Sequence, residues 1–323
     1  MSARPAPAGP VAPDARPGRN CPLSYRYPPA SLDRPAEIVA DTVYVVGGLY
    51  GNVEALQAVA CAVAGDPGAA LVFNGDFHWF DVAPADFEAI EAGVCAHPAL
   101  RGNVETETAG EESGAGCGCA YPADVSDAEV HRSNEILARL RETARAVPGA
   151  RERLAGLPMN LVAQVGDARA AIVHGDAASL AGWGFAQDHL DQPAHRRWIE
   201  SAFRDARVEV FASTHTCLPA LRAFAGSGVV ANNGAAGMPN FEGRRAGLMT
   251  RLSVHPYEGP GRAAGLAWGG CHVDLVELPY DADRWARRFL DAWPPGSPAH
   301  DSYWRRIAEG PRWRPEQAFP RAA

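Results

Sequence analysis

No apolar run in the chain approaches the ~18 residues that a membrane-spanning helix needs, so no membrane span is expected. Positive charge is not in surplus either: 30 Lys and Arg stand against 38 Asp and Glu, a formal net charge of -8. Nucleic-acid binding rests on neutralising phosphates with Lys and Arg, so a nucleic-acid partner is not favoured. Runs such as "HRRW" and "GRRAG" read as solvated or packing arginines. The opening stretch, "MSARPAPAGPVAPDARPGRN", lacks the apolar core of a secretory signal, and the cytoplasm is the default expectation. Its Pro and Ala content buries too little surface to fold alone, so residues 1–36 read as a disordered lead. The seven cysteines, an odd number, do not suggest a disulfide framework in a reducing compartment. Cys61 reads as a small core residue on the apolar face of a helix.

What is present is an α/β pattern. The 323 residues suit one large domain or one domain with appendages, with an ordinary 47% hydrophobic share. From Thr42 onward, short β-rich runs alternate with helical stretches. "TVYVVGG" and "AALVFNGD" read as strands, "NVEALQAVACAVAG" and "PADFEAIEAG" as helices, and "HPALRGNVE" as a strand ending in a polar turn. "TETAGEESGAGCGCAYPADVS" has the composition of a loop, and the "SDAEVHRSNEILARLRETARAV" behind it is a helix. "NLVAQVG" and "ARAAIVHGD" form a hairpin over Asp167, and "VEVFASTHTCLPAL" reads as strand, turn, strand. The resulting division is a main domain over 37–280, an insertion over about 106–150 and a helical, Trp-rich extension over 281–323.

Five successive strands end in turns containing Gly, Asp, Asn or His. In α/β sheets ligands collect beside the carboxyl ends of strands, so these turns are expected to converge. Their side chains of interest are Asp76, Asn103, His174, His215 and Cys217. A carboxylate, an amide oxygen and two imidazoles suit a borderline divalent ion such as Zn, Mn or Fe. Each residue alone has a plainer explanation, because strand-end Asp and Asn often stabilise their own turns. The glycines beside them allow close approach of backbone and ligand, which favours a shared site.

In order and spacing these turns resemble the signature blocks of the calcineurin-like metallophosphoesterases, particularly the small bacterial phosphodiesterase and phosphatase subgroup. The resemblance runs from about Thr42 to Leu278. It rests on Gly48-Leu49-Tyr50-Gly51-Asn52, Gly75-Asp76, Gly102-Asn103-Val104-Glu105, His174-Gly175 and Thr214-His215-Thr216-Cys217-Leu218-Pro219, with a counterpart of a further loop in "NNGAAGMP". It implies a two-sheet αββα sandwich flanked by helices. It also implies one metal ion held by Asp76, Asn103, His174 and His215. The ligands of a second ion are altered: Gly48, Tyr50 and Cys217 stand where the family has Asp, His and His, and Val104 replaces a proton-donating His.

Sulfur is the one replacement donor on offer. Cys117 and Cys119 in "GAGCGCAYP", together with Cys217 and Asp76, are candidates for a softer second site that would favour Zn or Fe, with Mn allowed. The plainer reading of Cys117 and Cys119 is a mobile loop with incidental thiols. His78 is a candidate proton donor and Tyr50 a candidate contact to an anionic substrate. Glu105 reads as a turn stabiliser, and Trp183 and Phe185 as core or as pocket wall. The expected function is hydrolysis of a phosphoric mono- or diester with one or two divalent transition-metal ions. The alternative is a non-hydrolytic metal-binding or redox protein on the same scaffold. The expected partner is a small-molecule phosphoester, and a homo-oligomer is allowed.

Overall fold

The computed structural model describes residues 16–110 and 114–319. The chain runs through β1 (Ile38–Val39), β2 (Thr42–Val46), α1 (Val53–Ala64), β3 (Ala70–Asn74), α2 (Pro84–Val94) and β4 (Ala99–Leu100). Three helices follow: α3 (Asn103–Ala109), α4 (Asp127–Ala146) and α5 (Ala150–Ala155). The second half comprises β5 (Asn160–Val165), β6 (Ala168–Val173), α6 (Gln187–Leu190), α7 (Pro193–Ala206), β7 (Val210–Ser213), β8 (Pro219–Phe224) and β9 (Gly228–Asn233). It closes with β10 (Gly247–Ser253), β11 (Arg262–Trp268), β12 (Cys271–Leu278), α8 (Ala282–Ala292), α9 (Pro298–Glu309) and α10 (Pro315–Ala318).

Two six-stranded sheets result, ordered β1-β5-β6-β7-β9-β8 and β11-β12-β10-β2-β3-β4. Successive strand side chains point to opposite faces, and this alternation builds the layers. Val43 and Val45 of β2 meet Ala170 and Ile172 of β6 and Val210 and Ala212 of β7 in the core between the sheets. Tyr44 and Val46 face outward into a layer with Val59 of α1, Phe87 of α2, Leu140 of α4 and Phe289 of α8. On the far side Ala171, Val173 and Phe211 pack on Ile199, Ala202 and Phe203 of α7. The fold is therefore the expected αββα sandwich.

Parallel pairing decides where the site lies. β2, β3 and β4 run parallel in one sheet, and β6 and β7 run parallel in the other. Their carboxyl ends open on the same edge of the sandwich, so the turns after them meet.

Several expectations need correction. Residues 16–36 are ordered: Tyr25, Tyr27 and Leu32 are buried, and the Tyr25 hydroxyl donates to Glu107 Oε1 at 2.7 Å. Three apolar anchors give this stretch the burial that its composition did not suggest; residues 1–15 lie outside the described residues. Cys61 is exposed, because α1 turns Ala55 and Val59 inward and a residue two positions further lies about 200° round the helix. The turn at 102–105 is the first turn of α3. β11, with mixed burial, had no signal in the sequence reading. Among the described residues no helix is long and apolar enough to cross a membrane.

Candidate metal centre

Four strand ends deliver four donor atoms to one point. Asp76 follows β3, Asn103 opens α3 just after β4, His174 follows β6 and His215 follows β7. All four are buried. The Nε2 of His174 lies 3.3 Å from Asp76 Oδ1, 3.2 Å from Asn103 Oδ1 and 3.2 Å from His215 Nδ1. Asp76, His174 and His215 offer ligand atoms that all fall within 4.8 Å of one another.

The outer partners fix which atoms face inward. His174 Nδ1 sits 3.0 Å from the Asn74 carbonyl, which can only accept, so Nδ1 carries a proton and Nε2 presents a lone pair. His215 Nε2 likewise donates to the Cys119 carbonyl at 3.1 Å, leaving Nδ1 as the inward lone pair. Asn103 Nδ2 donates to the Cys117 carbonyl at 2.9 Å, which turns Oδ1 toward His174. The cluster is thus four acceptors facing one another, an arrangement that calls for a cation at its centre. Carbonyl-oriented imidazoles are also how proteins hold metal-ligating histidines. The donor set therefore fits one divalent ion.

Electrostatics agree with that reading. Burial pushes the carboxyl of Asp76 upward, but His174 and His215 outweigh it and hold the group below its ordinary range. For His174, burial opposes the proton, yet Asp76 wins and raises the imidazole. His215 is pushed down to about 3 by burial and by the charge on His174.

The loop carrying Asp76 is strained and braced. Tyr50, Asp76 and Cys217 adopt left-handed φ values of 54°, 49° and 60°. Such conformations cost on the order of 1 kcal/mol each. Glu105 offsets the cost at Asp76: its carboxylate accepts from the backbone N–H groups of Asp76, Phe77, His78 and Gly102 at 2.8 to 3.3 Å. Gly102 must be glycine, since a Cβ there would lie 2.2 Å from Asp76 Oδ1.

Beside the cluster opens a cavity of ≈ 210 Å³ lined by Asp76, Asn103, His215, Trp183, Tyr303 and Arg306, among others. Wider depressions exist, such as a ≈ 660 Å³ groove around Arg169, Arg204 and Arg207, but among the described residues no ligand cluster lies there. Val104 lines the cavity without a proton to give. Trp183 also lines it, with its ring edge-on to His215 at 5.4 Å, whereas Phe185 belongs wholly to the core.

The other expected residues divide. Tyr50 lines the cavity, its hydroxyl 2.8 Å from Cys217 Sγ. A Cβ on Gly48 would come within 2.7 Å of Tyr50 Cε2, so the tyrosine ring occupies the space that a side chain at position 48 would need. Cys119 and Cys217 line the cavity. The Cys117 sulfur faces Gly18 instead, where a Cβ would lie 3.5 Å from it. Among the described residues, no group of three ligand atoms that includes a thiol comes together. Burial pushes the thiols of Cys119 and Cys217 upward, which keeps them protonated. His78 does not reach the cavity: its ring stacks on Phe87 at 3.8 Å and its Nδ1 lies 2.5 Å from Asp81 Oδ2.

Tyr121, Tyr303 and Arg306 were not singled out in the sequence. They come from the loop before α4 and from α9, where only the Tyr303–Arg306 spacing of one helical turn hinted at a shared face.

A hypothetical protein from Pyrococcus horikoshii OT3 matches with a TM-score of 0.59 at 17% identity, over 85% of this chain and 100% of that one. A metallophosphoesterase from Sphaerobacter thermophilus matches with a TM-score of 0.52 at 15% identity, over 84% of this chain and 100% of that one. No protein-family model and no curated protein matches the chain. At these identities the likeness establishes a shared fold, that of the metallophosphoesterases.

Proposed function

We propose that the protein is a phosphoric ester hydrolase working with one divalent ion held by Asp76, Asn103, His174 and His215. The observation that carries this reading is the set of four inward-facing acceptors with no donor among them. Two oxygens and two imidazole nitrogens suit Zn, Fe or Mn. When bound, such an ion polarises a phosphoryl oxygen and lowers the pKa of a water toward neutrality.

The chain's own groups narrow the substrate. With Val104 offering no proton and His78 sequestered, the leaving group departs without an imidazole acid, an aid otherwise worth about a hundred- to ten-thousand-fold. Esters with acidic, aryl-like leaving groups fit best. Tyr50 supplies a hydroxyl that burial holds protonated, able to donate a hydrogen bond into the cavity. Trp79, Tyr121, Trp183 and Tyr303 make the remaining wall largely aromatic. A volume of ≈ 210 Å³ admits a compact substrate; drug-sized ligands take about 300–1,000 Å³.

The test is elemental analysis of the purified chain together with hydrolysis of p-nitrophenyl phosphate and its bis-ester. About one equivalent of metal and nitrophenol release that vanishes in His174→Ala are expected. Stoichiometric metal without turnover on either ester would leave a non-hydrolytic metal protein.

A further inference from the structure

Arg306 is the one arginine lining the cavity, and it comes from α9. Its Nε donates to the Pro239 carbonyl at 3.0 Å and its Nη2 to the Cys217 carbonyl at 2.6 Å. These two carbonyls fix the plane of the guanidinium while leaving its charge uncompensated. Among the described residues no carboxylate pairs with it. Glu129, at the edge of the cavity, is engaged by Arg132 at 2.9 Å. A guanidinium carries five N–H donors, and the carbonyls take two. An arginine held in place, half-buried and unpaired beside a cation site is arranged to meet an anion.

Its position within the cavity adds to this. Arg306 stands on the side where Gly48, Tyr50 and Cys217 replace ligands of a second ion. Its Nη2 reaches the Cys217 carbonyl beside the contact between the Tyr50 hydroxyl and Cys217 Sγ, and among the described residues no other Arg or Lys lines the cavity. The positive field on this side of the cavity therefore comes from the guanidinium.

We propose that Arg306 is the anion clamp of the cavity, its free N–H groups binding a phosphoryl oxygen, so that one arginine and one metal ion share a charge that two-metal sites divide between two ions. This rests on the hydrolase reading for its substrate, but its test is binding. Inorganic phosphate is titrated calorimetrically into the full-length chain, with and without its metal, for wild type, Arg306→Gln and Arg306→Lys. Metal content, near-UV circular dichroism and kcat and KM on p-nitrophenyl phosphate are measured in parallel.

The expected result is that Arg306→Gln keeps its metal equivalent and loses about ten- to a hundredfold in phosphate affinity. The loss should appear in KM, and guanidinium ion in solution should restore part of it. Should Arg306→Gln unfold, Arg306→Lys carries the test, because one ammonium cannot hold two carbonyls and an oxyanion together; a loss of about tenfold is expected. Phosphate affinity equal to wild type in a folded variant, or no phosphate binding by the wild-type chain, overturns the clamp. Arg306-dependent phosphate binding with no ester turnover leaves the clamp standing and removes the hydrolase. Turnover with an unchanged KM in Arg306→Gln does the reverse.

Discussion

The two sides of the cavity are built on different principles. On one side carbonyls on the outer atoms of Asn103, His174 and His215 turn Oδ1, Nε2 and Nδ1 inward, and the Val104 N–H donates to Asp76 Oδ1 at 3.2 Å. On the other, Gly48, Tyr50, Cys217 and Arg306 fit together by volume and charge: the ring fills the gap over the glycine, the hydroxyl meets the thiol and the guanidinium spans two carbonyls. These groups touch one another and pack as a unit.

The contrast can be broken at its strongest point first. His174→Ala should remove the metal and lower ester hydrolysis by about a hundredfold or more, read by elemental analysis and nitrophenol release. Retained metal would mean that the four-acceptor cluster is not the ion's seat. Glu105→Ala should leave four backbone N–H groups without their acceptor and cost about 3 kcal/mol or more in denaturant unfolding. A loss under 1 kcal/mol would mean that the Asp76 turn holds itself.

The packed side is sharpened by a double-mutant cycle. Gly48→Ala should cost about 1–3 kcal/mol, partly from its φ of 64° and partly from the Tyr50 ring. In a Tyr50→Ala background only the backbone share, about 1 kcal/mol, should remain; full additivity would deny that the two positions are coupled. The smallest effect is expected from Cys117→Ser with Cys119→Ser, which should leave metal stoichiometry unchanged. Loss of an equivalent would restore the sulfur-bearing second centre that the sequence suggested.

Much of the fold is legible in the sequence because period-two strands and Gly-containing turns are local signals. β2, β3, β6 and β7 announce themselves, and their turns carry the residues that meet at the centre. What is not legible depends on docking. Tyr303 and Arg306 share a helical face in any reading, but nothing in their spacing says that α9 lies over the open edge of the sandwich. His78 follows Asp76 by two residues, yet the left-handed turn at Asp76 sends its ring to Phe87. Cys117 and Cys119 look like a pair in sequence, yet only Cys119 lines the cavity, and Cys117 is buried behind it near Gly18.

The placement of Arg306 near the end of the chain has a consequence for biosynthesis. A ribosome releases Asp76, Asn103, His174 and His215 long before α9 emerges, and domains fold from the N-terminus as they appear. The sheet that carries Asp76 closes only once β10 to β12 are added, so the proposed ion's seat forms with that sheet, whereas the proposed anion clamp waits for α9.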